Sequence, residues 1–167
     1  MTLTYSPANA KLRKLSKAHS MRPWLSDGRK VYSLDMLSGW SCPFASECLS
    51  KVHTGADGKR YLTDGKATLF RCFSASQEAV YTEAYNMRLR NFETLRQAKT
   101  TSAMVDCLTE ALPARAGVVR LHVAGDVFSP HYFKALTELA RLNPSVLFYA
   151  YTKSLRYWLA DRARVRR

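Results

Sequence analysis

The residues with the greatest chemical reach in this chain are three cysteines. Cys42 and Cys48 have five residues between them in Gly39-Trp-Ser-Cys-Pro-Phe-Ala-Ser-Glu-Cys48, and Cys72 follows after a further 23 intervening residues in Leu69-Phe-Arg-Cys-Phe-Ser74. Thiolates are soft ligands that select zinc or iron–sulfur clusters, and a cubane cluster held by three cysteines keeps one iron open to another molecule. The spacing itself matches no standard ferredoxin or zinc-finger pattern, so spacing alone leaves metal ligation and ordinary burial equally open. Zinc would need a fourth ligand; His53 is nearest in sequence and His122 is available at a strand end. Lys51 and Arg71 are the neighbouring cations that could favour thiolates at such a site. Cys107 is different: it falls beside Met104, Leu108 and Ala111 on an apolar helical face and reads as core.

These cysteines must be brought together by the elements around them. Val31 to Leu37 has strand composition and is closed by Ser38-Gly39, which places Cys42 and Cys48 in the loop after a first strand. Two turn signals, Asp57-Gly58 and Asp64-Gly65, mark residues from about 50 to 68 as an inserted hairpin or ordered loop. If its ends approach each other, all three sulfurs can converge. From Ser76, a natural cap, the pattern turns helical through Val80, Ala84, Met87 and Leu95. A second helix spans Ser102 to Leu112 and is stopped by Pro113. Val118 to Ala124 is then a strong strand ended by Gly125-Asp126, Pro130 to Leu142 a helix capped by Ser129, Val146 to Tyr151 a strand, and Ser154 to Ala163 a basic helix. Strand and helix alternating over short connections predict a parallel sheet, here with about three parallel strands.

The 167 residues are 47% hydrophobic and 23% charged, a globular composition, and suit a single α/β metal-binding domain over 31–167 preceded by a basic arm over 1–30. No apolar run is long enough for a membrane span, and the N-terminus lacks a secretory pattern, so a cytoplasmic protein without a membrane partner is expected. In that compartment four cysteines do not make a disulfide scaffold. The net charge of +13 is concentrated at the two ends. Residues 1–30 carry seven cations against Asp27, and residues 153–167 carry six against Asp161. Such ends suit DNA or RNA, with Lys11, Arg13, Lys14, Lys17, Arg162 and Arg164 as candidate phosphate contacts and Trp24, Tyr157 and Trp158 as stacking candidates. Solubility alone would call for the same charge. Acid–base work by Asp126 with His122 or His131 has thin support, because a helix N-cap region accounts for Asp126 and Ser129 as well. No phosphate-cradling glycine loop, nucleophile elbow or two-histidine zinc motif is present.

Asn9-Ala-Lys-Leu12, Ser38-Gly39 with Ser41-Cys42-Pro43, His122-Val-Ala-Gly-Asp-Val-Phe-Ser129 and Tyr149-Ala-Tyr-Thr-Lys-Ser154 together resemble the phage family known as gene product 88. The resemblance runs from about residue 6 to residue 158. That family is distantly similar to radical S-adenosylmethionine enzymes, in which a cluster loop follows the first barrel strand and a glycine-containing motif at the end of the second meets the cofactor. The resemblance therefore implies a partial (β/α) barrel with a 4Fe-4S cluster on Cys42, Cys48 and Cys72. It also implies Gly125 and Asp126 beside S-adenosylmethionine, and a phage-infected bacterial host. Cysteines in that family and its relatives lie closer together than Cys48 and Cys72 do. Three parallel strands also fall short of a full barrel, which implies a half-barrel, a piece of a longer protein, or closure by a homo-oligomer. The alternative is a non-catalytic nucleic-acid-binding or structural phage protein whose metal site, iron–sulfur or zinc, stabilises the fold.

Overall fold

The structure is a computed structural model describing residues 2–165, with side chains described through residue 162. Its elements in chain order are β1 (Tyr5–Pro7), a 3-10 turn (Leu12–Lys17), α1 (Arg22–Leu25), β2 (Lys30–Leu34), the hairpin strands β3 (Lys51–Thr54) and β4 (Arg60–Thr63), α2 (Phe73–Val80), α3 (Thr82–Ala98), α4 (Thr101–Ala111), β5 (Ala116–Leu121), α5 (Pro130–Leu142), β6 (Leu147–Ala150) and α6 (Leu155–Val165).

Four strands form one mixed sheet in the order β1-β2-β5-β6. The three parallel strands are β2, β5 and β6: Leu34 lies beside Leu121, and Leu121 beside Ala150. The sheet is open, so the described strands do not close into a barrel. The edge position of β1 departs from the arm expected over residues 1–30. Tyr5 pairs with Leu34 in antiparallel register, and Leu3, Tyr5 and Leu12 are all buried. Alternating apolar residues at the start of the chain can bury one face once a sheet edge is on offer, and that gain outweighs the cost of ordering the segment.

The two faces of the sheet are covered differently. One face, carrying Leu34, Val119 and Leu121, packs on α3, α4 and α5 through Leu95, Leu108, Tyr132 and Leu139 in the main core. Cys107 and Trp158 are half-buried against it. The other face, carrying Val31 and Val118, is covered by Leu12, Leu15, Met21, Trp24 and Leu25 of the N-terminal segment. Trp24 therefore packs on the sheet.

The helical stretch expected from Ser76 is two helices. Cys72 takes the N-cap position, Ser76 N–H and Oγ both donate to the Cys72 carbonyl, and extended Tyr81 (φ −98°, ψ 106°) separates α2 from α3. In an unbroken helix, residues ten apart would stand about 15 Å apart along the axis. The break folds α2 back so that Glu78 and Arg88 meet at 3.1 Å, both buried. Further along, Thr100 and Ser129 cap α4 and α5 by accepting from Ala103 N–H and Tyr132 N–H. No helix among the described residues is long and apolar enough to cross a membrane.

Candidate functional site

All three parallel strands point their C-terminal ends at one edge of the sheet, where parallel sheets place their ligand sites. The loops that leave them are 35–50, 122–129 and 151–154. Two successive short turns carry the first loop from Cys42 to Cys48, with Ala45 N–H donating to the Cys42 carbonyl (3.3 Å) and Cys48 N–H to the Ala45 carbonyl (3.0 Å). Gly39 (φ 71°) starts the loop, and a side chain there would collide with the Ser50 carbonyl.

Between Cys48 and Cys72 the chain makes the β3–β4 hairpin, Lys51 opposite Thr63, turned at Gly58 (φ 75°). Its base is pinned by one buried hydroxyl. Ser50 Oγ donates to Asp64 (2.7 Å) and accepts from Cys72 N–H (3.1 Å), while Leu69 N–H donates to the Glu47 carbonyl (2.8 Å). The hairpin thus returns Cys72 to the loop that carries Cys42 and Cys48.

The three thiols are free and half-buried. The Cys42 thiol is pushed up to about 12, chiefly by burial, with hydrogen bonds from Gly39 and Ser41 opposing the shift and Asp126 and Cys72 adding smaller upward pushes. Cys72 sits at the N-cap of α2, where aligned peptide dipoles favour negative charge. Both cations expected beside the sulfurs are engaged with other partners. Arg71 is paired with Asp64 (2.7 Å), and Lys51 lies over the Trp40 ring (4.5 Å). The cation at the sulfurs is Lys153, from the third loop, with Nζ 3.6 Å from Cys48 Sγ and 5.7 Å from the Phe70 ring. Sequence pointed to Tyr149–Ser154 only through the family resemblance, because nothing local ties Lys153 to a cysteine 105 positions away. Exposed Leu69, Phe70 and Phe73 flank Cys72.

Gly125 and Asp126 join these loops. Gly125 (φ 78°) is so close to the first loop that a Cβ would lie 2.5 Å from Ser41 Oγ and 2.6 Å from Met36 Cβ. Buried Asp126 accepts from Val127 N–H (2.7 Å), Thr152 Oγ1 and Lys153 N–H (2.8 Å), and its own N–H donates to Ser41 Oγ (3.2 Å). Two further buried carboxylates act in the same region. Asp35 accepts from Val123 N–H (2.7 Å) and Ala124 N–H (3.3 Å), tying the first loop to the second. Glu78 accepts from Ser38 N–H and Oγ and from Arg88, tying α2 and α3 to the residue before Gly39. Burial raises Glu78 above the usual carboxylate range, against the opposing pull of Ser38 and Arg88. Sequence reading missed Asp35, Glu78 and Arg88. The one available signal was a charged residue at an otherwise apolar helix or strand position.

Among the described residues, no three Cys, His, Asp or Glu side chains are gathered tightly enough to hold one metal ion. The histidines considered for zinc stand elsewhere. His122 is buried with Nε2 2.8 Å from Tyr132 OH, and His53 meets the edge of Trp40 at 5.2 Å between ring centroids. A closed zinc site needs four donors within about 4 Å of one another; neither histidine supplies the fourth. A cubane spaces its ligating sulfurs more widely than a single metal ion does; the thiols that would hold one are Cys42 and Cys48 in the first loop and Cys72 at the N-cap of α2. His131 is 3.2 Å from Thr101 Oγ1, on the α4–α5 side of the sheet and apart from Asp126.

The candidate nucleic-acid contacts Lys11, Arg13, Lys14 and Lys17 are all exposed, on a turn anchored by buried Leu12. Arg162 is exposed on α6, and the Arg164 side chain lies outside the described residues. Tyr157 packs edge-on to Phe44 at 5.4 Å, and Arg156 lies 5.6 Å from the same Phe44 ring.

An open mixed sheet with helices on one face, a short basic segment on the other and a cysteine-bearing loop at its strand ends defines the class of this protein: a mixed α/β protein with one built edge. The chain belongs to the gene product 88 family, which it matches over residues 2–165. It is similar to the Gene 88 protein of Mycobacterium phage L5, 32% identical over 126 residues, and to the Gene 88 protein of Mycobacterium phage D29, 28% identical over 126 residues. Each match takes in 69% of this chain and 44% or 43% of the relative, so the chain spans less than half the length of the curated relatives it matches. No solved structure matches it.

Proposed function

We propose that this protein holds an iron–sulfur cluster on Cys42, Cys48 and Cys72 at the C-terminal edge of its parallel strands. The observation that carries the reading is the return of Cys72, across the hairpin base at Ser50, to the loop bearing Cys42 and Cys48. Lys153 adds a positive charge beside Cys48. Such a cluster would supply electron transfer or an open iron for a further ligand. The chain's own part is to fix the loop geometry through Ser41, Ser50 and Asp126 and to release a proton from Cys42 on ligation. The resemblance to radical S-adenosylmethionine enzymes extends this to cofactor cleavage. Against that extension, Gly125 and Asp126 are already packed and hydrogen-bonded within the protein.

Iron and sulfide analysis with visible spectroscopy on anaerobically purified protein tests the proposal. Brown protein with stoichiometric iron and sulfide is expected, and Cys42→Ser, Cys48→Ser and Cys72→Ser should each lose most of the iron while Cys107→Ser keeps it. A colourless protein after anaerobic reconstitution sinks the cluster; 5′-deoxyadenosine formation under reduction decides the radical extension separately.

A second reading, nucleic-acid binding, rests on the exposed row Lys11, Arg13, Lys14 and Lys17 held on an ordered turn. It is compatible with the first.

A further inference from the structure

The sheet face that carries Val31 and Val118 is covered only along part of its length. Beyond Leu12 the cover ends, and a cleft of about 480 Å³ opens over Ser33, Asp35 and Arg120, walled by Lys11 on one side and by the start of α2 and α3 on the other. The size suits a nucleotide-sized molecule. Three cations line it: Lys11, Arg88 and Arg120. Arg88 is 5% exposed, and it satisfies only part of its guanidinium through Glu78, Gln77 and the Ser74 carbonyl. Among the described residues, Nε of Arg88 and Nε of Arg120 are both buried with no hydrogen-bond partner. A buried donor without an acceptor carries an uncompensated desolvation cost, larger for a charged group. Both arginines line the one cleft with hydrogen-bonding capacity left over, Arg120 having the Tyr151 ring 5.4 Å away as its other neighbour.

We infer that this cleft binds a nucleotide through its phosphate. Guanidinium and ammonium groups recognise phosphate oxygens by charge-assisted hydrogen bonds. The N-terminus of α2, which no side chain caps, borders the same cleft at Phe73 and Ser74 and adds backbone donors of the same polarity. Asp35, the carboxylate in the cleft wall, already accepts from Val123 and Ala124 N–H, which offsets its repulsion of an anion. At the rim, Phe73 and Tyr81 are 76% and 60% exposed, aromatic faces free to stack on a base. The phosphate could belong to a free mononucleotide or to the end of a nucleic-acid strand.

Isothermal titration calorimetry on the purified protein, its iron content recorded, separates these. Adenosine 5′-monophosphate, adenosine and a 5′-phosphorylated tetranucleotide are the probes. The phosphate-bearing probes should bind, with adenosine weaker by about tenfold or more. Arg120→Gln and Lys11→Gln should each weaken phosphate binding by a similar factor, with a cooperative thermal transition showing that each variant is folded and exposed Lys11→Gln keeping the parent's melting temperature; Arg88 is left intact because it pairs with buried Glu78. Binding of the tetranucleotide alone, lost in the same variants, assigns the site to a strand end. Failure of both phosphate probes to bind, equal binding of adenosine, or unchanged affinity in both variants overturns the inference. None of these outcomes depends on a cluster being bound, so the two proposals fail separately.

Discussion

At Gly125 the backbone, not a side chain, makes the contact. With φ at 78° and Ser41 Oγ and Met36 within 2.7 Å of where a Cβ would stand, Gly125→Ala combines backbone strain with a steric clash at the junction of two loops. A loss of about 2–4 kcal/mol in urea denaturation is expected; a variant as stable as the parent would show that the loops can separate freely. His122 has a different consequence. Burial holds its imidazole neutral, with the pKa lowered from 6.5 to about 3. The unfolded chain takes up a proton that the folded chain excludes, so this contribution is complete above pH 6.5 and is lost as pH falls toward 3. Its size is on the order of 4–5 kcal/mol. Stability measured from pH 7.5 down to 4 should fall more steeply in the parent than in His122→Gln, which keeps a partner for Tyr132 OH. Cys42 runs the other way: with its thiol raised to about 12, alkylation by iodoacetamide at pH 8 should spare Cys42 in the metal-free protein.

Helices α2 and α3 are where local pattern and three-dimensional requirement part. Apolar positions from Val80 to Leu95 continue in register through Tyr81, so periodicity alone reads one helix. The break is imposed by a long-range pair, Glu78 with Arg88, that only a folded-back geometry can form. Arg88→Met should cost about 3–5 kcal/mol, because it leaves the Glu78 carboxyl buried without its cation; mass-action rescue is not expected, but Glu78→Gln in the same chain should recover part of the loss. Elements with strong local signals were legible. Pro130–Leu142, with Ser129 as its cap and Asn143-Pro144 as its stop, spans the residues expected of it. Strand centres at Val118–Leu121 and Leu147–Ala150 follow from β-branched and aromatic runs; β5 starts two residues earlier than expected, at Ala116, and ends three earlier, at Leu121, and β6 is one residue shorter at each end, where the strand-end residues turn into loops. Tyr5–Pro7 was missed since a three-residue edge strand leaves no period to count.

Over the whole molecule, the N-terminal charge and the cysteines occupy different places, while the C-terminal charge meets the cysteine loop at Lys153 and Arg156. Lys11, Arg13, Lys14 and Lys17 lie on the segment covering one sheet face, whereas the cysteines lie at the strand ends. If that segment contacts phosphates, replacing all four with glutamine should lower the slope of log affinity against log salt by about 3–4, with little change in stability because Leu12 and Leu15, not the exposed cations, anchor the turn. An unchanged slope would assign the charge to solubility. The place of Cys42 and Cys48 in a loop directly after a strand was legible from the strand composition and the Ser38-Gly39 stop. Its supports were not. Lys153 comes from the third loop, Asp35 and Asp126 lock loops 88 and 26 residues apart in sequence, and the open cleft over Arg120 is walled by the N-terminal segment on one side and by α2 and α3 on the other. Those are properties of packing between distant segments, which no local pattern encodes.

The hydroxyl of Ser50 has a bearing on how such a chain can change over generations. It clamps the two ends of the hairpin to each other, so everything between Lys51 and Asp64 hangs from a closed base. Residues could be inserted or deleted at the Asp57-Gly58 tip without altering where Cys48 and Cys72 stand in space. The distance between those two cysteines along the chain is then evolutionarily neutral, and a search that demands a set spacing will overlook proteins that share the same edge.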